Sequence, residues 1–302
     1  MRFPIIYFGQ ISAAVAIYHY DGTVLISHGG VEIGQGINTK AAQVAAYTLG
    51  IPLDMVAVKA SNTFDGANSI CTGASVTSET VCFAVRKACN QLLSRMKPVR
   101  EKLDSPTWLE VVQKSHEENI NLFSRQIHKL GDLEEYNVWG LACTEMEVDI
   151  LTGKWQITRA DVWEDTGESL SQLIDVGQVE GGFVQGLGYW LTEKLVYDRQ
   201  TGELMTFNTW EYKVPGAKDI PIDFRIKLIQ ERPNPHGFLR SKTTGEMGIC
   251  MSISSVFALR HALNSARKDA GINEWYELGA PTTIEDIVLA AGHSAKDFKL
   301  NV

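Results

Sequence analysis

Between Gln178 and Gly188 the chain reads Gln-Val-Glu-Gly-Gly-Phe-Val-Gln-Gly-Leu-Gly, with Val179, Phe183, Leu187 and Leu191 at helical spacing. Gly181, Gly182, Gly186 and Gly188 interrupt that pattern. Each glycine inside an exposed helix costs about 1 kcal/mol against alanine. A helix over 178–193, beginning at Gln178, therefore implies close packing against another helix or a sheet.

The rest of the chain supplies partners for such a helix. Val15 and Ile17 alternate with Ala16 and Tyr18, Asp21-Gly22 turns the chain, and Val24-Leu25-Ile26 returns as a hairpin over 11–26. A helix follows from Thr39 to Leu49, stopped by Gly50 and Pro52, and then a strand over 55–59. A polar loop from Asn62 to Ala74 leads into a long helix with Val81, Val85, Ala88, Leu92 and Met96 on its buried face, which Pro98 ends. Residues 100–135 are the least regular and most charged, and the boundary between two lobes, 1–130 and 131–302, is placed there. Beyond it, Ala142, Thr144, Met146, Val148 and Ile150 alternate as a half-buried strand. Thr152-Gly153 turns into a partner strand through Trp155, Ile157 and Val162. A hairpin at 198–202, a strand at 224–229 and a helix at 251–267 burying Ile253, Val256, Leu259 and Leu263 follow, and Thr282-x-x-Glu285 caps a last helix ending near Gly292. The fold class is α+β, two-lobed, with the ligand at the junction of the lobes.

Composition narrows the partners. A chain that is 44% hydrophobic and 21% charged is of ordinary globular make-up. Its net charge of -8 argues against nucleic acid, which is bound through clustered Lys and Arg. Pro4, Gln10 and Ser12 interrupt the apolar N-terminal run, which argues against a signal peptide, and no stretch of about 18 apolar residues suggests a membrane span. The five cysteines form no C-x-x-C pair, which fits reduced thiols in a cytoplasmic protein and gives no iron–sulfur ligand set. His19, His28, His116, His128, His236, His261 and His293 show no ligand spacing, so no metal ligand is assigned to the protein.

Three further segments carry candidate chemistry. Gly34-Gln35-Gly36 allows close backbone approach beside an amide that both donates and accepts, or is simply a tight strand-to-helix turn. Thr72-Gly73-Ala74-Ser75-Val76-Thr77-Ser78 sits where a loop becomes a helix, and suits either an N-cap cluster or an anionic group such as a terminal phosphate. Glu246, in Gly245-Glu246-Met247-Gly248, is either a helix-capping charge or a partly desolvated general base.

Together with runs such as Ser27-His28-Gly29-Gly30-Val31-Glu32-Ile33-Gly34-Gln35-Gly36-Ile37-Asn38-Thr39-Lys40 and Glu164-Asp165-Thr166-Gly167-Glu168-Ser169-Leu170, these segments resemble the molybdenum hydroxylases, the family of xanthine dehydrogenases and aldehyde oxidases. The resemblance covers essentially the whole chain but only the C-terminal portion of the family's enzymes. Met1 then reads as a truncation point or internal start, and Gly34 to Lys40 resembles the aldehyde oxidase branch slightly more.

By that resemblance the cofactor is molybdopterin. Gly34, Gln35, Gly36 and Gln178 would contact the metal's ligand sphere, and Gly73, Ala74, Ser75, Val76 and Thr77 the phosphate end. Glu246 would be the catalytic base in hydroxylating an aldehyde or N-heteroaromatic, with water as oxygen source. Met247 stands where relatives often carry Pro, which restores a backbone N–H next to that base. Iron–sulfur clusters and FAD are expected only in upstream domains, and the full-length form as a homodimer. The alternative is a non-catalytic fragment serving as a dimerisation or assembly module.

Overall fold

Six of the seven residues of β2 (Ile11–Ile17) are buried, so small and β-branched side chains fill both faces of the strand. A computed structural model describes residues 1–3, 9–129, 131–132 and 134–292. Residues 4–8, which carry most of the apolar N-terminal run, and His293 lie outside them. Two compact units emerge. The first comprises Met1–Val138, Thr166–Ile174 and Gln230–Thr243; the second comprises Trp139–Asp165, Asp175–Ile229 and Thr244–Val302. The leading segment of the first unit thus ends at Val138, and two later segments return to that unit.

In the first unit β1 (Arg2–Phe3) pairs with a short strand at Tyr136–Asn137, numbered β6 below. β2 pairs antiparallel with β3 (Val24–His28), as the Asp21-Gly22 turn implies, and β3 pairs parallel with β4 (Val56–Val58). Helix α1 (Ile37–Leu49) ends on Gly50 in the left-handed conformation, and α2 (Thr77–Arg100) buries the expected Val81, Val85, Ala88, Leu92 and Met96. Pro98 does not end α2. The helix runs to Arg100, because the Glu101 N–H still reaches the Lys97 carbonyl and Val99 is fully buried.

The segment expected to be irregular contains α3 (Trp108–Glu117) and β5 (Phe123–His128). A reciprocal capping box between Thr107 and Glu110 starts α3. β5 completes a sheet of order β4-β3-β2-β5, and β6 (Tyr136–Asn137) closes the small pair with β1.

The second unit is built on β7 (Gly140–Val148), β8 (Trp155–Glu164) and β9 (Asp223–Leu228), with β8 central, antiparallel to β7 and parallel to β9. Helix α4 (Gln172–Leu187) carries the fully buried stripe Val179, Phe183 and Leu187, and Leu191 extends it in a π-helical turn over Gly188–Thr192. Gln178 lies in the second turn of α4 instead of at its start, because Leu173 to Val176 already continue the helix.

The helix expected at 251–267 is α6 (Ser254–Asp269), and a separate short helix, α5 (Gly245–Met251), precedes it, the two parted at buried Ser252. The Ser252 hydroxyl donates to the Ile249 carbonyl and accepts from Trp190 Nε1. Leu259 and Leu263 are buried as expected, whereas Ile253 and Val256 are half-buried. The last helix, α7 (Ile284–Ala291), is capped by Thr283 and Asp286, one residue beyond the expected box. Thr282 instead donates its hydroxyl to Gly279. No helix among the described residues is long and apolar enough to cross a membrane.

Candidate cofactor site

In the first unit the loop after β3 is organised by Glu32, a residue that sequence reasoning passed over. Its Oε1 accepts the N–H groups of Gly34 and Gly36 at 3.0 and 2.9 Å, and its Oε2 that of Asn38 at 3.0 Å. Partial burial works against the charge, but the donations from Asn38, Gly36 and Gly34 outweigh it and hold the carboxyl below its usual range. Gln35 is folded back onto the same loop: Oε1 accepts from Ile33 N at 2.7 Å and Nε2 donates to the Val31 carbonyl at 2.8 Å. Its amide is thereby oriented, and the second Nε2 hydrogen stays available to donate. A carboxylate just ahead of a glycine pair was the available signal for this device.

The loop before α2 is tied to this one. Val31 N donates to Thr72 Oγ1 at 2.8 Å, and a Cβ on Gly30 would meet Thr77 Cγ2 at 3.0 Å. Ala74 and Ser75 both take φ of 53°, where an L-residue costs about 1–2 kcal/mol. Two consecutive outliers mark a segment held in place by its surroundings. Gly73 N donates to Thr77 Oγ1 at 3.1 Å, and the Thr72 and Thr77 oxygens, each accepting from a backbone N–H, keep their own protons to donate. The first turn of α2 adds N–H groups with no carbonyl one turn earlier.

These residues fit the group that the sequence implies. A Cβ added at Gly34 or Gly73 would meet no atom within 4 Å, so both loops offer open backbone to a bulky planar ligand. The Thr72 and Thr77 hydroxyls and the N–H groups of the first turn of α2 form a donor set suited to a phosphate.

Behind this loop lies another group invisible in the sequence. Glu79 accepts Tyr136 Oη–H at 2.7 Å and Phe238 N–H at 3.2 Å, and the Tyr136 hydroxyl accepts Thr243 N–H at 3.2 Å. Burial pushes the Glu79 carboxyl up to about 7, against the pull of those donors and of Lys40. The network fixes the start of α2 to the segment over 238–243.

In the second unit Gln178 and Glu246 sit on helices that touch backbone to backbone. A Cβ on Gly182 of α4 would collide with the Gly245 carbonyl, and one on Gly248 of α5 would lie 2.7 Å from the Val179 carbonyl. Gly186 faces Ser252, so the expected close contact holds for Gly182 and Gly186, while Gly181 faces open space.

Glu246 is half-buried in the first turn of α5. Burial raises its pKa, with its own backbone N–H pulling the other way. Met247 occupies the same first turn, where proline is tolerated because the N–H has no intrahelical acceptor. Its side chain packs against the core of this unit, so methionine in place of proline leaves the helix start intact.

Glu164, at the end of β8, is fully buried, and neither carboxyl oxygen has a hydrogen-bond partner among the described residues. Burial, then Asp175 and Asp165, pushes its pKa up to about 9. Between its ordinary value and about 9 the unfolded chain releases a proton that the fold retains, so stability falls as pH rises through that window. Glu164→Met is expected to stabilise the protein by about 1–3 kcal/mol near neutrality. The gap over wild type should be small at about pH 5 and widest above about pH 9. Urea unfolding at several pH values checks this; a variant less stable than wild type, or a gap that does not change with pH, would contradict it. Among the described residues no group of three or more His, Cys, Asp or Glu could hold a metal ion.

Residues 3–221 match a family described as the molybdopterin cofactor-binding domain. The chain is 37% identical over 300 residues to a xanthine dehydrogenase of Emericella nidulans, covering 95% of this chain and 22% of that protein. It is equally 37% identical over 299 residues to aldehyde oxidase 3 of Mus musculus, again covering 95% of this chain and 22% of the relative. Among solved structures, quinoline 2-oxidoreductase from Pseudomonas putida 86 superposes with a TM-score of 0.75 at 25% identity, over 94% of this chain and 38% of the other. A Cu,Mo-CO dehydrogenase superposes at 0.76 with 20% identity, over 93% and 37%, which speaks for the fold alone.

Proposed function

Because this chain belongs to the molybdopterin cofactor-binding domain family of the molybdenum hydroxylases, we propose that it is the cofactor-cage and base-bearing portion of an oxidoreductase that hydroxylates aldehydes or N-heteroaromatics with water as oxygen source. The cofactor, when bound, supplies the two-electron redox chemistry. This chain's own residues hold it and move a proton. In the first unit, Gly73 to Thr77 would hold the phosphate end, Gly34 would offer open backbone to the pterin and Gln35 would donate its remaining amide hydrogen, whereas Gly36 packs against Ile174; in the second unit, Gln178 is proposed as a cofactor contact on its own helix.

Glu246 takes the proton released as water oxygen is transferred to substrate. The observation that carries this reading is its half-buried carboxyl of raised proton affinity, set at the start of a helix that packs backbone to backbone against the helix bearing Gln178. A carboxylate so placed takes up a proton more readily than a solvated glutamate and is fixed in position.

The chain spans 22% of the curated relatives' length, so iron–sulfur and flavin groups would reside on other segments. The test is turnover of an aldehyde and of an N-heteroaromatic by the native polypeptide that carries this sequence, in water enriched in heavy oxygen. Labelled product supports the proposal; the 302-residue chain alone should be inactive, and robust turnover by it would contradict the division of labour.

A second reading, a non-catalytic docking or dimerisation module, draws on one observation. Phe207, Trp210 and Trp275, three large aromatic side chains of the second unit, are 71%, 83% and 80% exposed. Absence of turnover together with a stable complex would favour it.

A further inference from the structure

In the first unit, α1, α2 and the segments 168–170 and 237–240 enclose a cavity of about 760 Å³. That volume falls in the range of sites for small molecules. We propose that this cavity binds a small aryl carboxylate, independently of the cofactor loops described above.

Charge comes first. Arg86 stands at the cavity exposed, with its guanidinium over the Phe238 ring at 5.9 Å, and has no carboxylate partner among the described residues. Arg240 also lines the cavity, but its Nε pairs with Glu168 at 3.1 Å. Two guanidinium groups against one carboxylate leave one positive charge uncompensated. Arginine presents a planar fork that matches a carboxylate with two parallel hydrogen bonds.

The apolar walls select what carries the charge. Leu170 and Leu239 line the cavity, and Tyr47, 74% exposed, offers its ring to a flat ligand. Leu239 and Arg240 are both held at positive φ, 46° and 66°, so the wall that presents them is fixed by its surroundings. The Gln43 side-chain Oε1 is buried with no donor among the described residues, so turning its amide toward a ligand O–H gives up no hydrogen bond of that oxygen. A hydroxylated ring therefore suits the cavity better than a bare one.

Isothermal titration of the 302-residue chain with benzoate, 4-hydroxybenzoate, benzyl alcohol and inorganic phosphate tests this. Both carboxylates should bind one to one, with 4-hydroxybenzoate the tighter and benzyl alcohol at least about tenfold weaker than benzoate. Arg86→Ala should weaken benzoate by at least about tenfold and Arg86→Lys by less, with unchanged circular dichroism because Arg86 is exposed. Gln43→Leu should abolish the advantage of 4-hydroxybenzoate over benzoate. No binding of either carboxylate, equal affinity in Arg86→Ala, or phosphate bound as tightly as benzoate would overturn the proposal.

Discussion

Glu246→Gln in the native holoenzyme is expected to lower kcat by about a thousandfold, within the range that a positioned general base contributes, and to leave KM nearly unchanged. The substitution keeps size and hydrogen-bonding capacity but removes the proton acceptor. Since Glu246 lies in the first turn of α5, neither the packing of Gly248 on α4 nor the cofactor loops of the first unit should change. Cofactor content of the variant should therefore equal that of wild type. A variant retaining more than about a tenth of the wild-type kcat would remove Glu246 from the mechanism.

The pH profile carries the same information with a definite sign. The base must be deprotonated to act, and burial raises its pKa. The acid limb of kcat/KM should therefore lie at higher pH than for a solvated glutamate, with the rate falling as pH drops through it, and Glu246→Gln should abolish that limb.

Gly182→Ala is expected to cost about 3 kcal/mol or more, because a single methyl would strike the Gly245 backbone carbonyl and force α4 and α5 apart. The neighbouring Gly181→Ala is the control. It is exposed, its Cβ would meet nothing within 4 Å, and it should stabilise the helix by about 0.5–1 kcal/mol. Urea titration of the two variants separates a packing requirement from general helix propensity. If Gly182→Ala behaves like Gly181→Ala, α4 and α5 are not in the backbone contact described above.

Much of the fold was written in local patterns that burial then obeyed. The β2–β3 hairpin, α1, the apolar face of α2 and the stripe of α4 follow from spacing alone, since each element buries one continuous set of side chains. What escaped depended on neighbours distant in sequence. The charged surface around residues 100–135 hid α3 and β5, although Thr107 and Glu110 form a capping box that the sequence displays openly. Pro98 marks a helix stop by its chemistry, yet the burial of Val99 carries α2 two residues further, to Arg100. The break between α5 and α6 escaped because Ser252 is held there partly by a distant neighbour, Trp190, whose indole N–H donates to its hydroxyl.

The candidate site divides in the same way. Gly34, Gln35, Gly36, Gly73 and Thr77 stand in loops that hydrogen bonds bring together in the first unit, and Gln178 and Glu246 stand on contacting helices in the second. Sequence alone assigns no individual role to Glu32, Glu79 or Glu164. Only the fold turns the first into a loop organiser, the second into a buried acceptor, and the third into a carboxyl held without a hydrogen-bond partner among the described residues.

The most direct test of the central claim, that this chain helps to cage molybdopterin, is the molybdenum and pterin content per polypeptide of the native protein isolated from its source. About one molybdenum and one pterin per polypeptide is the expected result, by the stoichiometry of a single cage. A pure, folded native polypeptide containing neither would contradict it.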